Sequence, residues 1–288
     1  DIDVSKIEDS LDNGKIVIVT GFQGLNDEGD ITTLGRGGSD TSAVALAVKL
    51  NGVCEIYTDV DGVYTADPRY VKKARKLAEI TYDEMLDLAS LGAGVLHNRS
   101  VEMAKKYGVQ LVVRSSLNNH EGTIVREEVN MEKMLVSGVA ADKNATRIAV
   151  IGLKDEPGIA FHLFNALAKY NINVDIILQS VGRNGTKDIS FTVAEDEADE
   201  AVAIIQKSFP KSEYNKIDEE KDVAKISIVG AGMMTHPGVA ASMFEALYDA
   251  GVNIKMISTS EIRVTVLIDE KYTEKALNAV HDKFALGD

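Results

Sequence analysis

Two stretches of this chain, eighty positions apart, repeat each other without a gap. Asp155 to Ser180 aligns on Thr235 to Ser260, with Pro157/Pro237, Gly158/Gly238, Ala160/Ala240, Phe164/Phe244, Leu167/Leu247, Asn173/Asn253, Ile177/Ile257 and Ser180/Ser260 identical. A duplication of this size is a whole small domain, not a solenoid unit, so the C-terminal half is expected to hold two copies of one module. The N-terminal half has no such repeat. It carries instead a glycine-rich run, Leu34-Gly35-Arg36-Gly37-Gly38-Ser39-Asp40, of the kind that handles phosphate.

Lys15 to Thr20 is a short apolar run rich in β-branched residues and reads as a buried strand. Leu25 to Asp30 reads as a loop or hairpin tip, and Ser39 or Asp40 is placed to cap a helix running to Leu50. A strand over Cys54–Thr58, a loop from Asp59 to Arg69, helices over Tyr82–Leu91 and Arg99–Tyr107, and a strand over Val109–Arg114 follow. This alternation indicates an α/β sheet with much parallel pairing. From Met131 the pattern changes to strands over Leu135–Ala140 and Arg147–Leu153, a helix over Gly158–Tyr170, strands over Val174–Ser180 and Asp188–Val193, and a helix over Ala198–Phe209. The second copy repeats it with Lys225–Val229, Gly238–Ala250, Ile254–Ser258, Ile262–Ile268 and Thr273–Phe284. That is the split βαβ, ferredoxin-like pattern, with two helices on one face of an antiparallel sheet. The expected division is 1–130, 131–221 and 222–288, with a charged linker over Glu127–Lys133.

A net charge of −14 argues against nucleic acid or an anionic membrane as the main partner, since either wants a basic face. The single cysteine, Cys54, excludes an intramolecular disulfide and fits a reducing cytoplasm. No apolar stretch approaches the roughly 20 residues of a membrane span, and no signal-peptide pattern opens the chain. The first residue is Asp1, which suggests a fragment or a processed form. His162, His236 and His281 share no metal-ligand spacing and read as surface or packing residues.

In the glycine-rich run, Gly37 and Gly38 let the backbone approach a ligand, and the following helix offers free N–H groups to an anion. Arg36 can grip a carboxylate or phosphate with two parallel hydrogen bonds, and Asp40 could orient a lysine or a metal. The competing reading is a glycine-rich turn that opens an ordinary helix. Polar groups also cluster after Thr58, at the C-terminal edge of a strand, where open α/β sheets bind ligands. Thr58 and Asp59 could hydrogen-bond a nucleotide, Tyr64 cover its base, and Arg69 reach a phosphate. Asp59, Asp61 and Asp67 lack the glutamate and spacing of a calcium loop, and the pattern is not a Walker loop. In each C-terminal copy a Pro-Gly turn opens a helix whose N–H groups suit an amino acid's α-carboxylate. In the first copy Gly158 and Ala160 lie at the turn, Asp155 with Asn173 and Asp175 could take the ammonium group, Gln179 could read the side chain, and Val174 belongs to the same set. The second copy offers Val239, Ala240, Asn253, Ile254 and Ser260. The alternative is that Pro-Gly starts a helix and the asparagines shape turns.

Gly29-Asp30-Ile31-Thr32-Thr33-Leu34-Gly35-Arg36-Gly37-Gly38-Ser39-Asp40-Thr41 and Glu55 through Arg69 resemble the aspartate kinase family. Gly21 to Gly24, Ser90 to Ala93, Val95-Leu96-His97, Val113 to Ser116 and Ser258 to Arg263 agree, and the two C-terminal copies resemble the ACT domains of that family. The resemblance covers nearly the whole chain. It implies an amino-acid kinase domain followed by two ACT domains, and ATP-dependent phosphorylation of the side-chain carboxylate of L-aspartate, with magnesium carried in by ATP. It assigns Arg36 and Ser39 to aspartate, Asp40 to the catalytic centre, and Thr58, Asp59, Tyr64, Thr65, Ala66, Asp67, Pro68 and Arg69 to ATP. It also implies lysine, threonine or both as effectors, bound where ACT domains pair in a homodimer or larger oligomer. The family's Lys-Phe-Gly-Gly motif is absent from these residues, and Gly94 and Asn98 stand where lysine and proline are usual. Arg69 or Arg99 are the cations that could compensate. On this pattern the chain is expected to be about the last two-thirds of such an enzyme, without turnover by itself. The alternative is a non-catalytic, amino-acid-binding regulatory subunit or fragment.

Overall fold

The computed structural model describes residues 2–93, 95–129, 134–180, 182 and 184–287. Gly94 and the junction at 130–133, including the expected boundary after 130, lie outside the described residues.

The N-terminal part comprises α1 (Ser5–Asp12), β1 (Gln23–Leu25), β2 (Ile31–Thr33), α2 (Gly38–Leu50), β3 (Cys54–Thr58), β4 (Glu79–Thr81), α3 (Tyr82–Leu88), α4 (Asn98–Tyr107), β5 (Leu111–Ser115) and β6 (Thr123–Arg126). β1 and β2 form a hairpin around the expected tip. The other strands make a sheet in the order β3-β5-β6-β4, in which β3 with β5 and β4 with β6 are parallel and β5 with β6 is antiparallel. Val44, Ile80, Met85, Val101, Leu111 and Val113 are fully buried between this sheet and its helices. Cys54 is buried there too, and burial, with Asp40 nearby, pushes its thiol up to about 11.

The strand expected over Lys15–Thr20 does not form. Ile16 and Ile18 are each 95% exposed. Alternating β-branched residues suit a strand, but a strand exists by pairing, and this segment meets no neighbouring edge among the described residues. The cap expected at Ser39 or Asp40 is also displaced. α2 starts earlier, behind Gly37 in the left-handed region at φ 71°, and both residues lie inside its first turn. Gly38 permits this, because a Cβ there would lie 2.8 Å from Leu34 and 2.9 Å from Phe22.

The C-terminal part comprises β7 (Gly138–Asp142), β8 (Thr146–Lys154), α5 (Ile159–Ala168), β9 (Ile177–Gln179), β10 (Thr186–Val193), α6 (Ala198–Ser208), β11 (Lys216–Glu220), β12 (Val223–Val229), α7 (Val239–Asp249), β13 (Met256–Thr259), β14 (Arg263–Asp269) and α8 (Thr273–Lys283). Two four-stranded antiparallel sheets result, ordered β11-β8-β10-β9 and β13-β14-β12-β7. Gly158 and Gly238 precede α5 and α7 with φ of 95° and 94°, so the duplicated sequence gives duplicated backbone.

The strand expected over Leu135–Ala140 forms as β7, but in the second copy's sheet, paired with β12. The sheets therefore cut across the sequence division at 221/222. The first copy completes itself with β11, a strand the sequence pattern did not reveal. In the second copy α8 is followed by a turn over 284–287, and β7 covers the edge of β12 that would otherwise stay open.

This crossover ties the two halves together. Ala66 and Val71 from the N-terminal part pack in one core with Val139, Val266, Leu277 and Val280. Glu84, 2% exposed, carries the same junction. It closes a capping box with Thr81 at the start of α3, and its Oε1 accepts from Ser137 Oγ at 2.6 Å and Ala231 N at 2.9 Å. Arg263 reaches Asp87 on the same helix at 3.3 Å.

Candidate active site

The parallel strands β3 and β5 end side by side, at Thr58 and Ser115. The loop after β3 folds over that edge and encloses a cleft of about 610 Å³. Seven of the eight residues expected to hold a nucleotide line it: Thr58, Asp59, Tyr64, Ala66, Asp67, Pro68 and Arg69. Ser115 and Asn118 join them from the end of β5, and Leu88, Val95, Leu117, Val139, Ala140, Ala141 and Leu277 add apolar surface. The parallel neighbour of β3 made Ser115 and its loop foreseeable; nothing in the pattern pointed to Val139 or Leu277.

Thr58 Oγ1 donates to Asp59 at 3.0 Å. Tyr64 donates to Asp61 at 2.8 Å, and Lys76 and His120 lie 3.4 and 3.5 Å from the same carboxylate. The tyrosine bond is the chief reason that the Asp61 carboxyl sits below its ordinary range, and the same bond raises the Tyr64 phenol. Arg69 forms a two-pronged pair with Asp67, at 3.0 Å through Nε and 2.7 Å through its terminal nitrogen, and is 83% exposed. An incoming phosphate would compete with Asp67 for this guanidinium.

Thr65 is the exception. It is fully buried and points away from the cleft. Its hydroxyl accepts from the Arg75 backbone N–H at 3.0 Å and meets His281 Nε2 on α8 at 3.0 Å, while its carbonyl accepts from Val139 N at 2.8 Å. Thr65 therefore anchors the loop to the C-terminal part rather than touching a nucleotide. His281 is fully buried, and its Nδ1 has no hydrogen-bond partner among the described residues. Burial holds its pKa below the ordinary 6.5; Lys73 and Arg75 act in the same direction and Asp282 opposes them. As pH falls, the unfolded chain therefore takes up this proton first. The contribution of neutral His281 is complete above pH 6.5 and is lost as the pH falls below it. Thermal unfolding between about pH 7.5 and 5.5 is expected to show a decline in stability that is shallower in His281→Gln, by no more than about 1.4 kcal/mol per pH unit. Parallel curves for the two proteins would remove His281 as the cause.

Arg36, Ser39 and Asp40 do not line the cleft; they cluster at the start of α2. Gly35 and Gly37 both adopt positive φ, at 77° and 71°, and a Cβ on Gly37 would lie 2.2 Å from the His97 ring. Arg99 donates to the Leu34 carbonyl at 3.0 Å. The glycine run is thus braced against the start of α4, and Arg99 serves as that brace. Arg36 itself is exposed and makes no hydrogen bond or ion pair among the described residues.

The residues expected to bind an effector fall into two matching groups, each at the start of a helix beside the next strand. Gly158 and Ala160 open α5, and Asn173, Val174 and Asp175 lead into β9, which ends at Gln179. Val239 and Ala240 open α7, Asn253 and Ile254 precede β13, and Ser260 N donates to Arg263 O just beyond it. The two carboxylates meant for an ammonium group already have one. Asp155 lies 2.8 Å from Lys187 Nζ, and Asp175 2.7 Å from Lys225 Nζ. Beside the start of α7, a second cleft of about 560 Å³ includes Val239, Ser242, Arg75 and Lys283. Among the described residues no helix is long and apolar enough to cross a membrane, and no group of three or more His, Cys, Asp or Glu is arranged to hold a metal ion.

Residues 1–115 match the amino acid kinase family, and residues 148–209 and 226–284 each match an ACT domain. The aspartokinase of Bacillus sp. (strain MGA3) is 52% identical over 287 residues, covering 99% of this chain and 70% of the relative. Aspartokinase 2 of Bacillus subtilis is 52% identical over 288 residues. Among solved structures, the aspartate kinase of Clostridium acetobutylicum superposes with a TM-score of 0.81 at 28% identity, covering 92% of this chain and 62% of that one. E. coli aspartokinase III in complex with aspartate and ADP superposes with a TM-score of 0.78 at 28% identity, over 94% of this chain and 61% of that one. The same E. coli enzyme with lysine and aspartate bound gives 0.78 at 27% identity. The chain thus spans about 70% of the length of the curated relatives and somewhat under two thirds of these solved chains.

Proposed function

The chain belongs to the aspartokinase family, and from that premise we propose that, together with the family's Lys-Phe-Gly-Gly segment, it transfers the γ-phosphoryl group of ATP to the side-chain carboxylate of L-aspartate, giving 4-phospho-L-aspartate. The observation that carries this reading is the cleft at the ends of β3 and β5, where Asp59, Tyr64 and Arg69 converge. Such a transfer needs positioning and charge neutralisation more than covalent chemistry. Thr58 and Asp59 hold the nucleotide, which enters with magnesium, and Arg69 exchanges Asp67 for a phosphate oxygen. Arg36 holds the α-carboxylate of aspartate, with Ser39 and Asp40 beside it in the first turn of α2.

The ACT copies receive lysine, threonine or both at the starts of α5 and α7. β9 and β13 are the outer strands of their sheets, and Ile177 and Ile257 on them are exposed, which supports pairing with a second chain. An effector at that seam shifts the kinase only through different affinity for two arrangements, typically about 1–3 kcal/mol.

The test is ATP-dependent hydroxamate formation from aspartate by the protein supplied with the family's Lys-Phe-Gly-Gly segment, together with titration of ATP into the chain as given. Asp59→Ala is expected to raise the KM for ATP about tenfold or more, the cost of a charged hydrogen-bond partner, and to spare the KM for aspartate. Absence of ATP binding by the wild type, or an unchanged KM in the variant, would overturn the assignment of this cleft.

A further inference from the structure

Three consecutive residues of the loop after β3 face in different directions. Tyr64 and Ala66 line the cleft, while Thr65 between them is fully buried and turned away from it. The Thr65 hydroxyl accepts from Arg75 N at 3.0 Å and lies 3.0 Å from Nε2 of His281, which is equally buried on α8 of the second C-terminal module. We infer that His281 is a positioning residue for nucleotide binding: by holding the Thr65 hydroxyl it sets the two neighbours that face the cleft. This rests on reading the cleft as the nucleotide site.

α8 meets this stretch of chain along one face. Leu277 and Val280 share a core with Ala66 and Val71, Asn278 Nδ2 donates to Tyr70 O at 3.0 Å, and Lys73 Nζ lies 3.0 Å from Asp282. Leu277, Asn278, His281 and Asp282 are spaced three and four apart, which places them together on the helix. Their contacts are not equal in consequence. The side chains of Lys73 and Asp282 are 72% and 56% exposed, so water replaces either partner at little cost. Thr65 and His281 have no such recourse: a buried hydroxyl that loses its partner recovers water only by leaving its place. The loop is then seated in a smaller fraction of molecules, and the apparent affinity for ATP falls by that fraction. The effect is confined to the nucleotide, because Arg36, Ser39 and Asp40 lie outside the cleft, at the start of α2.

The test titrates ATP into the chain as given: wild type, Thr65→Val, His281→Leu, the double variant, His281→Gln and Lys73→Ala. Each is measured at a temperature at which its unfolding curve shows it folded. Thr65→Val keeps the shape of the side chain and carries the comparison if His281→Leu does not fold. Thr65→Val and His281→Leu are each expected to weaken ATP about tenfold, and the double variant no further, because both remove the same interaction. His281→Gln brings an amide nitrogen to the place of Nε2 and should stay within about threefold of the wild type, and Lys73→Ala within about twofold. In the protein supplied with the family's Lys-Phe-Gly-Gly segment, Thr65→Val and His281→Leu should raise the KM for ATP and leave kcat and the KM for aspartate within about twofold, a split that loss of folded protein does not produce. Unchanged ATP binding in a folded Thr65→Val or His281→Leu, additive losses in the double variant, or a His281→Gln as weak as His281→Leu overturns the proposal and leaves the nucleotide reading standing. A wild type that binds no ATP overturns both.

Discussion

Lys225→Ala is expected to destabilise the protein by about 3 kcal/mol. Lys225 lies on β12, directly opposite Asp142 of β7, and its side chain is only 9% exposed. Its ammonium group lies 3.0 Å from Asp142 and 2.7 Å from Asp175, just before β9. One buried cation thus joins the strand that crosses between halves, the second ACT sheet and the first ACT copy. Removing it leaves two carboxylates facing each other in a poorly hydrated place. Breaking a buried pair from one side costs about 3–5 kcal/mol, and the lower end applies because Asp175 is 42% exposed and can recover water. Burial alone would lower the lysine's pKa, but its bond to Asp175 and the charges of Asp142 and Asp175 outweigh that and hold it above its ordinary value. The sign follows: this stabilisation is fully present below the ordinary lysine pKa and is lost as the pH rises through the higher folded value. Denaturant unfolding at neutral pH measures the loss. Lys225→Met keeps the packing of the stem while removing the charge, and adding Asp142→Asn should restore part of the stability. A loss below about 1 kcal/mol in Lys225→Ala would place this triad with ordinary surface pairs.

The same triad lies between the two sites proposed above. Asp175 belongs to the expected effector group, and Asp142 ends β7, whose Ala140 and Ala141 lie beside the cleft proposed for the nucleotide. A displacement of the segment before β9 would therefore reach the second module's sheet through Lys225 and through Ile176, which packs with Val223, Met256 and Leu267.

Much of this arrangement was legible beforehand. The duplication announced two modules, and the polar cluster after Thr58 announced the cleft, because both are local patterns that survive in any tertiary context. What escaped was partner choice. Apolar alternation identified a strand before residue 142 but could not say which sheet it joins; β7 skips over the entire first copy to reach β12. The run at Lys15–Thr20 showed the opposite failure, since strand-forming composition without a neighbour leaves Ile16 and Ile18 in water. Thr65 lies in the loop that folds over the ends of β3 and β5, but adjacency to Tyr64 and Ala66 says nothing about which way its hydroxyl faces. Asp155 and Asp175 looked like free carboxylates because their lysines stand 32 and 50 positions away in the chain.

In the protein supplied with the family's Lys-Phe-Gly-Gly segment, Arg36→Ala is expected to lower kcat/KM for aspartate by roughly 30- to 4,000-fold while leaving the KM for ATP and the stability of the fold unchanged. The range corresponds to the about 2–5 kcal/mol lost when one member of a desolvated charge pair is removed. Three features direct the effect to substrate rather than structure. Arg36 is exposed and makes no hydrogen bond or ion pair among the described residues, so its removal breaks nothing in the folded chain. Its backbone is nevertheless constrained, between Gly35 and Gly37 at positive φ, and Gly37 is pressed against His97. A long, unpaired guanidinium on a braced turn at a helix start is placed to receive a carboxylate from outside. Arg36→Lys keeps the charge but not the two parallel bonds, and should fall between wild type and alanine. Steady-state titrations of aspartate at saturating ATP, with unfolding curves beside them, separate the outcomes. Full aspartate use in Arg36→Ala would mean that the α-carboxylate is held elsewhere, and a large loss of stability would mean that the glycine run depends on contacts of Arg36 that this structure does not contain.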